Sequence, residues 1–150
     1  MKPVISRKMM VNAAFLQEVK DSNTELWLTL TQLENLRQVN QEKRIRSRQL
    51  VMLLGRLREC VALEFSLEET YGFLSTGGLS TWQDATEAMH QHRDLYLQIH
   101  ELCEQAEEAE YRGTISRDLD QYLDAFDDFH CSFVAHEAME GELIRLGLGV

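Results

Sequence analysis

The sequence predicts an all-α fold, an antiparallel up-down-up-down four-helix bundle, and three observations carry that reading. Apolar residues recur at spacings of three and four along most of the chain, the period of a helix with one buried face. The one proline is Pro3, so nothing beyond it removes a backbone donor and pushes the chain out of a helix. Between Pro3 and the Gly77-Gly78 pair only Gly55 and Gly72 interrupt, and glycine is the other common breaker.

The elements follow in order. The first stripe, Val11, Phe15, Val19, Asn23, Leu26, Leu30 and Leu33, is one face of a helix over about residues 9–38, closed by a charged connector near Gln38 to Arg48. The second stripe, Leu50, Leu53, Leu57, Cys60, Glu64, Leu67, Tyr71 and Leu74, ends at Ser75-Thr76-Gly77-Gly78, where a glycine can take a left-handed cap. Ser80 and Thr81 offer an N-cap for a third helix, and Asp84 stands three residues after Thr81 as in a capping box. Its stripe reads Met89, His92, Leu95, Ile99, Leu102 and Ala106, closing before Arg112-Gly113. Ser116 then caps a fourth helix with early acids at Asp118 and Asp120, which suit the positive end of a helix dipole. The last stripe, Leu119, Leu123, Phe126, Phe129, Phe133, His136, Glu140 and Leu143, runs toward a terminating glycine at Gly147. Short connectors favour antiparallel neighbours.

At 150 residues one domain with one core is expected over residues 1–150. A hydrophobic content of 44% against 27% charged residues suits a globular chain and is too apolar for a disordered one. Asp and Glu number 25 against 15 Lys and Arg, and the resulting charge of -10 repels phosphate backbones and anionic lipid, so neither nucleic acid nor membrane is expected as a partner. The local basic run Lys43, Arg44, Arg46 and Arg48 reads as the solvated tip of a helical hairpin. Cys60, Cys103 and Cys131 are odd in number and widely spaced, which suggests neither a disulfide framework nor a zinc ribbon. The apolar stretch after Lys8 is broken by Asn12 and Gln17, too short for a signal peptide or a membrane span, and a cytoplasmic location is expected. No Gly-rich phosphate loop and no nucleophile motif is found.

Each stripe carries polar exceptions: Asn23, Glu64 with Glu68 one turn on, His92, and His136 with Glu140. A buried carboxylate costs several kcal/mol unless it has a proton, a partner or a cation. In an antiparallel hairpin, residues equidistant from the turn share a level, and each residue is worth about 1.5 Å. About Gly77, Glu64 lies 13 residues before (77 minus 64) and His92 lies 15 after (92 minus 77). About Gly113, His92 lies 21 before (113 minus 92) and His136 lies 23 after (136 minus 113). Three helices thus deliver Glu64, Glu68, His92, His136 and Glu140 to one layer. Each of the pairs Glu64/Glu68 and His136/Glu140 is spaced i, i+4 and projects toward one point. Helical bundles build iron and manganese sites from such groups, and three carboxylates with two imidazoles suit two divalent ions. On the first helix Asn23 completes the set, with Glu18 as the alternative; Asn23 is mismatched in level by five residues about Gln41.

These segments resemble those of hemerythrin-like cation-binding domains. Glu64-Phe-Ser-Leu-Glu68-Glu69 is similar to their His-Phe-x-x-Glu-Glu segment, and His92-Arg-Asp-Leu95 to their third-helix His-x-x-Leu. Phe133-x-x-His136-Glu137-x-x-Glu140 is similar to their fourth-helix motif, and Asn23 with Leu26 sits where their first-helix His-x-x-Leu lies. The resemblance spans about residues 15 to 146 and implies a non-haem di-iron or manganese domain that senses, stores or carries out redox chemistry with metal or dioxygen. The departures are specific: Asn23 and Glu64 replace family histidines, Ala88 stands where another would be, and Gly141 replaces the final Asp. Oxygen carriage on five histidines is not expected from this set; a carboxylate-rich di-metal site is.

The alternative is a metal-free helical scaffold whose acidic faces meet a protein partner, its polar layer held by hydrogen bonds alone. His90, His100 and His130 lie off the stripes and read as solvated. Phe126, Phe129, Phe133, Trp27 and Trp82 read as core, and Glu104, Glu107, Glu108 and Glu110 as a solvated face.

Overall fold

The computed structural model describes residues 7–71 and 82–149. Among them every regular element is helical: α1 (Arg7–Ser22), α2 (Thr24–Glu34), a 3₁₀ turn (Asn35–Arg37), α3 (Lys43–Tyr71), α4 (Trp82–Arg112) and α5 (Leu119–Leu148). No described helix is long and apolar enough to cross a membrane. The Gly77-Gly78 cap and the N-cap at Ser80 and Thr81 fall outside the described residues.

The expected first helix is two helices, broken at Asn23. Ser22, Asn23 and Thr24 stand consecutively, and short polar side chains compete with the helix for its own backbone groups. The Ser22 hydroxyl donates to the carbonyl of Val19 at 3.2 Å, and the Asn23 N–H reaches back only three residues, to Lys20, at 3.4 Å. A new helix then starts at Thr24 with Glu25 in its first turn.

Other boundaries move by a few residues for local reasons. The second long helix starts at Lys43 rather than near Leu50, because the Glu42 carbonyl already accepts from the N–H groups of Ile45 and Arg46 at 3.1 and 3.0 Å. The basic run therefore lies on the first turns of α3, where Arg46 turns back to donate to the carbonyls of Gln41 and Leu36. Gly113, with φ of 75°, ends α4 as expected. The last helix enters at Asp118, whose carbonyl accepts from Gln121 and Tyr122, while the Ser116 hydroxyl faces that of Ser47 instead of capping. Its terminating glycine is Gly149, with φ of 81°, and Gly147 lies inside the helix.

The chain packs as two compact units, one of Met1–Asn23, Ala62–Asp94 and Val134–Val150, the other of Thr24–Val61 and Leu95–Phe133. The second is conventional: Leu26, Leu30, Leu33, Leu50, Leu57, Ile99, Leu123, Phe126, Phe129 and Phe133 are buried, as the stripes require. Trp27, expected in the core, is 39% exposed and lies beside Phe133 with ring centroids 6.1 Å apart. The first unit has a small apolar cluster of Ala13, Leu16, Ala88, Leu143 and Ile144. Met89, expected in its stripe, is 47% exposed, and Ala88 takes the buried place beside it. Val19 and Phe65 are buried as well, and among the described residues the remaining buried side chains of this unit are polar: Glu64, Glu68, His92, His136 and Glu140.

Candidate metal centre

The first unit gathers a set of ionisable and amide side chains around one point, set there by their places along the helices. Helix α1 contributes Lys20, with Asn23 just past its end. Helix α3 contributes Glu64 and Glu68 one turn apart, α4 contributes His92, and α5 contributes His136 and Glu140 one turn apart. Glu64, Glu68, His92, His136 and Glu140 are all buried, and Lys20 and Asn23 are half-buried.

Ligand atoms of Glu68, His92, His136 and Glu140 lie within 4.8 Å of one another. His92 Nε2 is 3.0 Å from Glu68 Oε2 and 3.3 Å from Glu140 Oε2, and His136 Nε2 is 2.9 Å from Glu140 Oε1. Two of these contacts are close without being hydrogen bonds: neither His136 Nε2 nor Glu68 Oε2 has a hydrogen-bonded partner, although both are buried. Both atoms are buried polar groups left for some further partner within the cluster. The other nitrogen of His136 is held by an amide. Nδ1 is 2.7 Å from the amide oxygen of Gln91, which only accepts, so Nδ1 donates there and Nε2 is the nitrogen that faces the centre.

A second group, Glu64, Glu68 and Glu137, also brings carboxylate oxygens within 4.8 Å of one another. Lys20 lies among them. Its Nζ is 2.6 Å from Glu137 Oε2, 3.0 Å from Glu140 Oε1, 3.3 Å from Glu68 Oε1 and 4.0 Å from Glu64 Oε2. Asn23 Nδ2 donates to Glu64 Oε1 at 3.3 Å.

One ammonium does not balance four carboxylates in a place that water barely reaches, and the titrations follow. Burial, with the Glu137 charge beside it, pushes the Glu64 carboxyl up to about 9. Burial likewise raises Glu68 to about 8, against the pull of His92. Burial alone would lower His92, but the Glu140 and Glu68 carboxylates outweigh it and hold the imidazole up at about 9. Glu140 stays ionised, because the adjacent His136 and His92 rings and the Lys20 ammonium outweigh its desolvation and hold it well below the usual carboxylate range. Lys20 is held above its usual value, its four carboxylate neighbours together outweighing burial. The centre thus keeps protons that a cation would displace.

No family model, curated protein or solved structure matches this chain. What it can do is therefore argued from the residues themselves.

Of the residues singled out in the sequence, the structure brings Glu64, Glu68, His92, His136 and Glu140 together in one unit. Their levels differ slightly from expectation. His92 meets Glu68 rather than Glu64, and Glu64 turns to Lys20, Asn23 and Glu137. Asn23 enters as a hydrogen-bond donor, level with Glu64 about a centre between residues 43 and 44 instead of Gln41. Glu18, the reserve ligand, is exposed and borders a surface hollow with Ala14, Gln17 and Asp21. His100 and His130 have other neighbours, Arg58 and Glu34 respectively.

Lys20 and Gln91 are not among the sequence candidates, and Phe65 and Glu137 stand there only within the family-like segments, without a role of their own. The signal for Lys20 was present: Ala13, Leu16, Lys20 and Asn23 are spaced three, four and three, and this, more than Phe15, is the inward face of α1. Glu137 and Gln91 each adjoin a stripe residue, and nothing in their own spacing marks them.

Proposed function

We propose that this chain is a metal-binding helical protein of hemerythrin-like kind, an up-down-up-down bundle. Its buried centre takes a divalent transition-metal ion, iron or manganese, on Glu68, His92, His136 and Glu140. The observation that carries the reading is the convergence of two imidazole nitrogens and two carboxylates, all buried, with His136 Nε2 and Glu68 Oε2 unsatisfied by any protein group. Two nitrogen and two carboxylate donors suit Fe²⁺ and Mn²⁺, and by the general affinity order they also accept Zn²⁺. With only two imidazoles, storage or sensing of metal, or limited redox chemistry with dioxygen, fits this donor set better than reversible oxygen carriage does.

A second reading has its own support. The Lys20 ammonium already supplies one cation to the carboxylates, as a metal-free scaffold serving a protein partner would require. Elemental analysis for iron, manganese and zinc, on protein expressed in medium replete in all three and purified without chelator, separates the two. Near-stoichiometric metal supports the centre; metal-free protein that also fails to bind Mn²⁺ on titration supports the scaffold.

A further inference from the structure

The two groups of metal-ligating side chains share Glu68, and the second is the cage around one ammonium. Lys20 Nζ touches Glu64, Glu68 and Glu137, every member of that group, and reaches Glu140 as well. Glu68 is divided between the two sides: its Oε1 faces Lys20 at 3.3 Å and its Oε2 faces His92 at 3.0 Å. Glu140 is divided similarly, Oε1 toward Lys20 at 3.0 Å and Oε2 toward His92 at 3.3 Å, with His136 also beside Oε1. Carboxylates that bridge two cations, each flanked by its own terminal ligands, are the arrangement of a two-ion centre in a helical bundle. Here one of the two cations is a side chain.

We propose that the Lys20 ammonium occupies a cation position of this centre, one that a divalent ion takes when the ammonium is removed. The consequence, which rests on the metal reading above, is a mixed centre. One divalent ion binds on the histidine side, Lys20 stands in place of a second, and Glu68 and Glu140 bridge them. A lysine does this well because it is tethered: it never dissociates, needs no uptake and carries one charge where a divalent ion carries two. Glu64 and Glu137, which would be terminal ligands to a second ion, instead serve the ammonium.

The test is a count of ions. Metal-free protein and its Lys20→Ala variant are titrated with Mn²⁺, with stoichiometry read by calorimetry and elemental analysis and ion-ion coupling read by electron paramagnetic resonance. The native chain is expected to bind one ion with the spectrum of an isolated ion. Lys20→Ala is expected to bind two, with the spectrum of a coupled pair, and Lys20→Arg to bind one. Should the alanine variant fail to fold, Lys20→Met keeps the apolar stem and removes only the charge. Two ions on the native chain, or no more ions on folded Lys20→Ala or Lys20→Met than on the native chain, overturn the proposal. No ion on the native chain but one or more on Lys20→Ala keeps Lys20 as the resident cation and overturns the metal reading instead. No ion on either overturns both.

Discussion

The imidazole of His92 lies flat on the phenyl ring of Phe65, with centroids 3.9 Å apart and planes 7° from parallel. The same phenyl ring meets His136 edge-on at 5.5 Å, so one buried aromatic sets both histidines. The stack restricts the ring of His92, with its Nε2 facing Glu68 and Glu140, and favours the charged imidazolium of the metal-free protein. Phe65→Leu removes the stack while filling most of the volume. It is expected to fold and to bind Mn²⁺ on the order of 10-fold more weakly, the usual penalty for losing the support of a ligand. Phe65→Ala, which also opens a cavity, should cost about 3–5 kcal/mol in chemical denaturation.

Gln91 makes a sharper test, since it touches the centre only through His136 Nδ1. It is half-buried, and Gln91→Ala leaves the buried His136 Nδ1–H without its acceptor, so the metal-free protein should lose about 1–3 kcal/mol of stability and still fold. Metal affinity should fall by roughly 10- to 100-fold, because His136 is then free to rotate or change tautomer. Equal affinities by calorimetry would mean that the amide does not orient the ligand.

The pH dependence of the metal-free protein has a definite sign. Glu64 and Glu68 titrate near 9 and 8 when folded against a usual value of 4.5, and His92 near 9 against 6.5. In each case the folded state keeps a proton that the unfolded chain has released. Their contribution is complete below the unfolded values and is lost as pH rises through about 8 to 9. Glu140 works in the opposite sense, contributing above the usual carboxylate range and failing in acid. Melting of chelator-treated protein should therefore decline between neutral pH and about 9. Metal binding must displace the same protons, so the rise in melting temperature on adding Mn²⁺ should grow over that interval. A metal-dependent rise that shrinks with increasing pH would contradict the titrations of Glu68 and His92.

Much of this was legible in the sequence, and the rest was lost for identifiable reasons. Helical period is a strong signal where a stripe is apolar and long, so Leu119 through Leu143 is buried residue for residue as the spacing requires. The same stripe exposed its own exceptions, His136 and Glu140, because a polar residue at a core position stands out. Counting along helices brought three elements to one layer but misjudged the register by about a turn, since the tip of each hairpin cannot be located from sequence. The break at Asn23 was missed because the apolar spacing continues across it, from Leu16 to Leu26. That error concealed Lys20, which sits one residue off the assumed stripe of α1. A lysine on an inward face reads as solvated until its four carboxylate neighbours are known.

Metal should stabilise the fold by mass action. An ion at a hundredfold excess over its dissociation constant contributes about 2.7 kcal/mol, or roughly 5–10 °C in melting temperature for a domain of this size. His136→Ala removes Nε2 from the centre and leaves the Gln91 amide oxygen without its donor, so this variant should melt lower even without metal. Its absolute stability is consequently a poor readout, and the difference between chelator and Mn²⁺ is the informative one. That difference should largely vanish in His136→Ala, with the remaining His92, Glu68 and Glu140 too few to hold the ion against Lys20 and the protons. His100→Ala supplies the control, because its Nδ1 faces the Arg58 guanidinium at 3.4 Å and its ring stacks near Tyr96. It should keep the full metal-dependent rise. Loss of the rise in both variants would trace it to general binding of Mn²⁺ by an acidic chain of charge -10, and in that case raising the ionic strength should remove it from the native protein too.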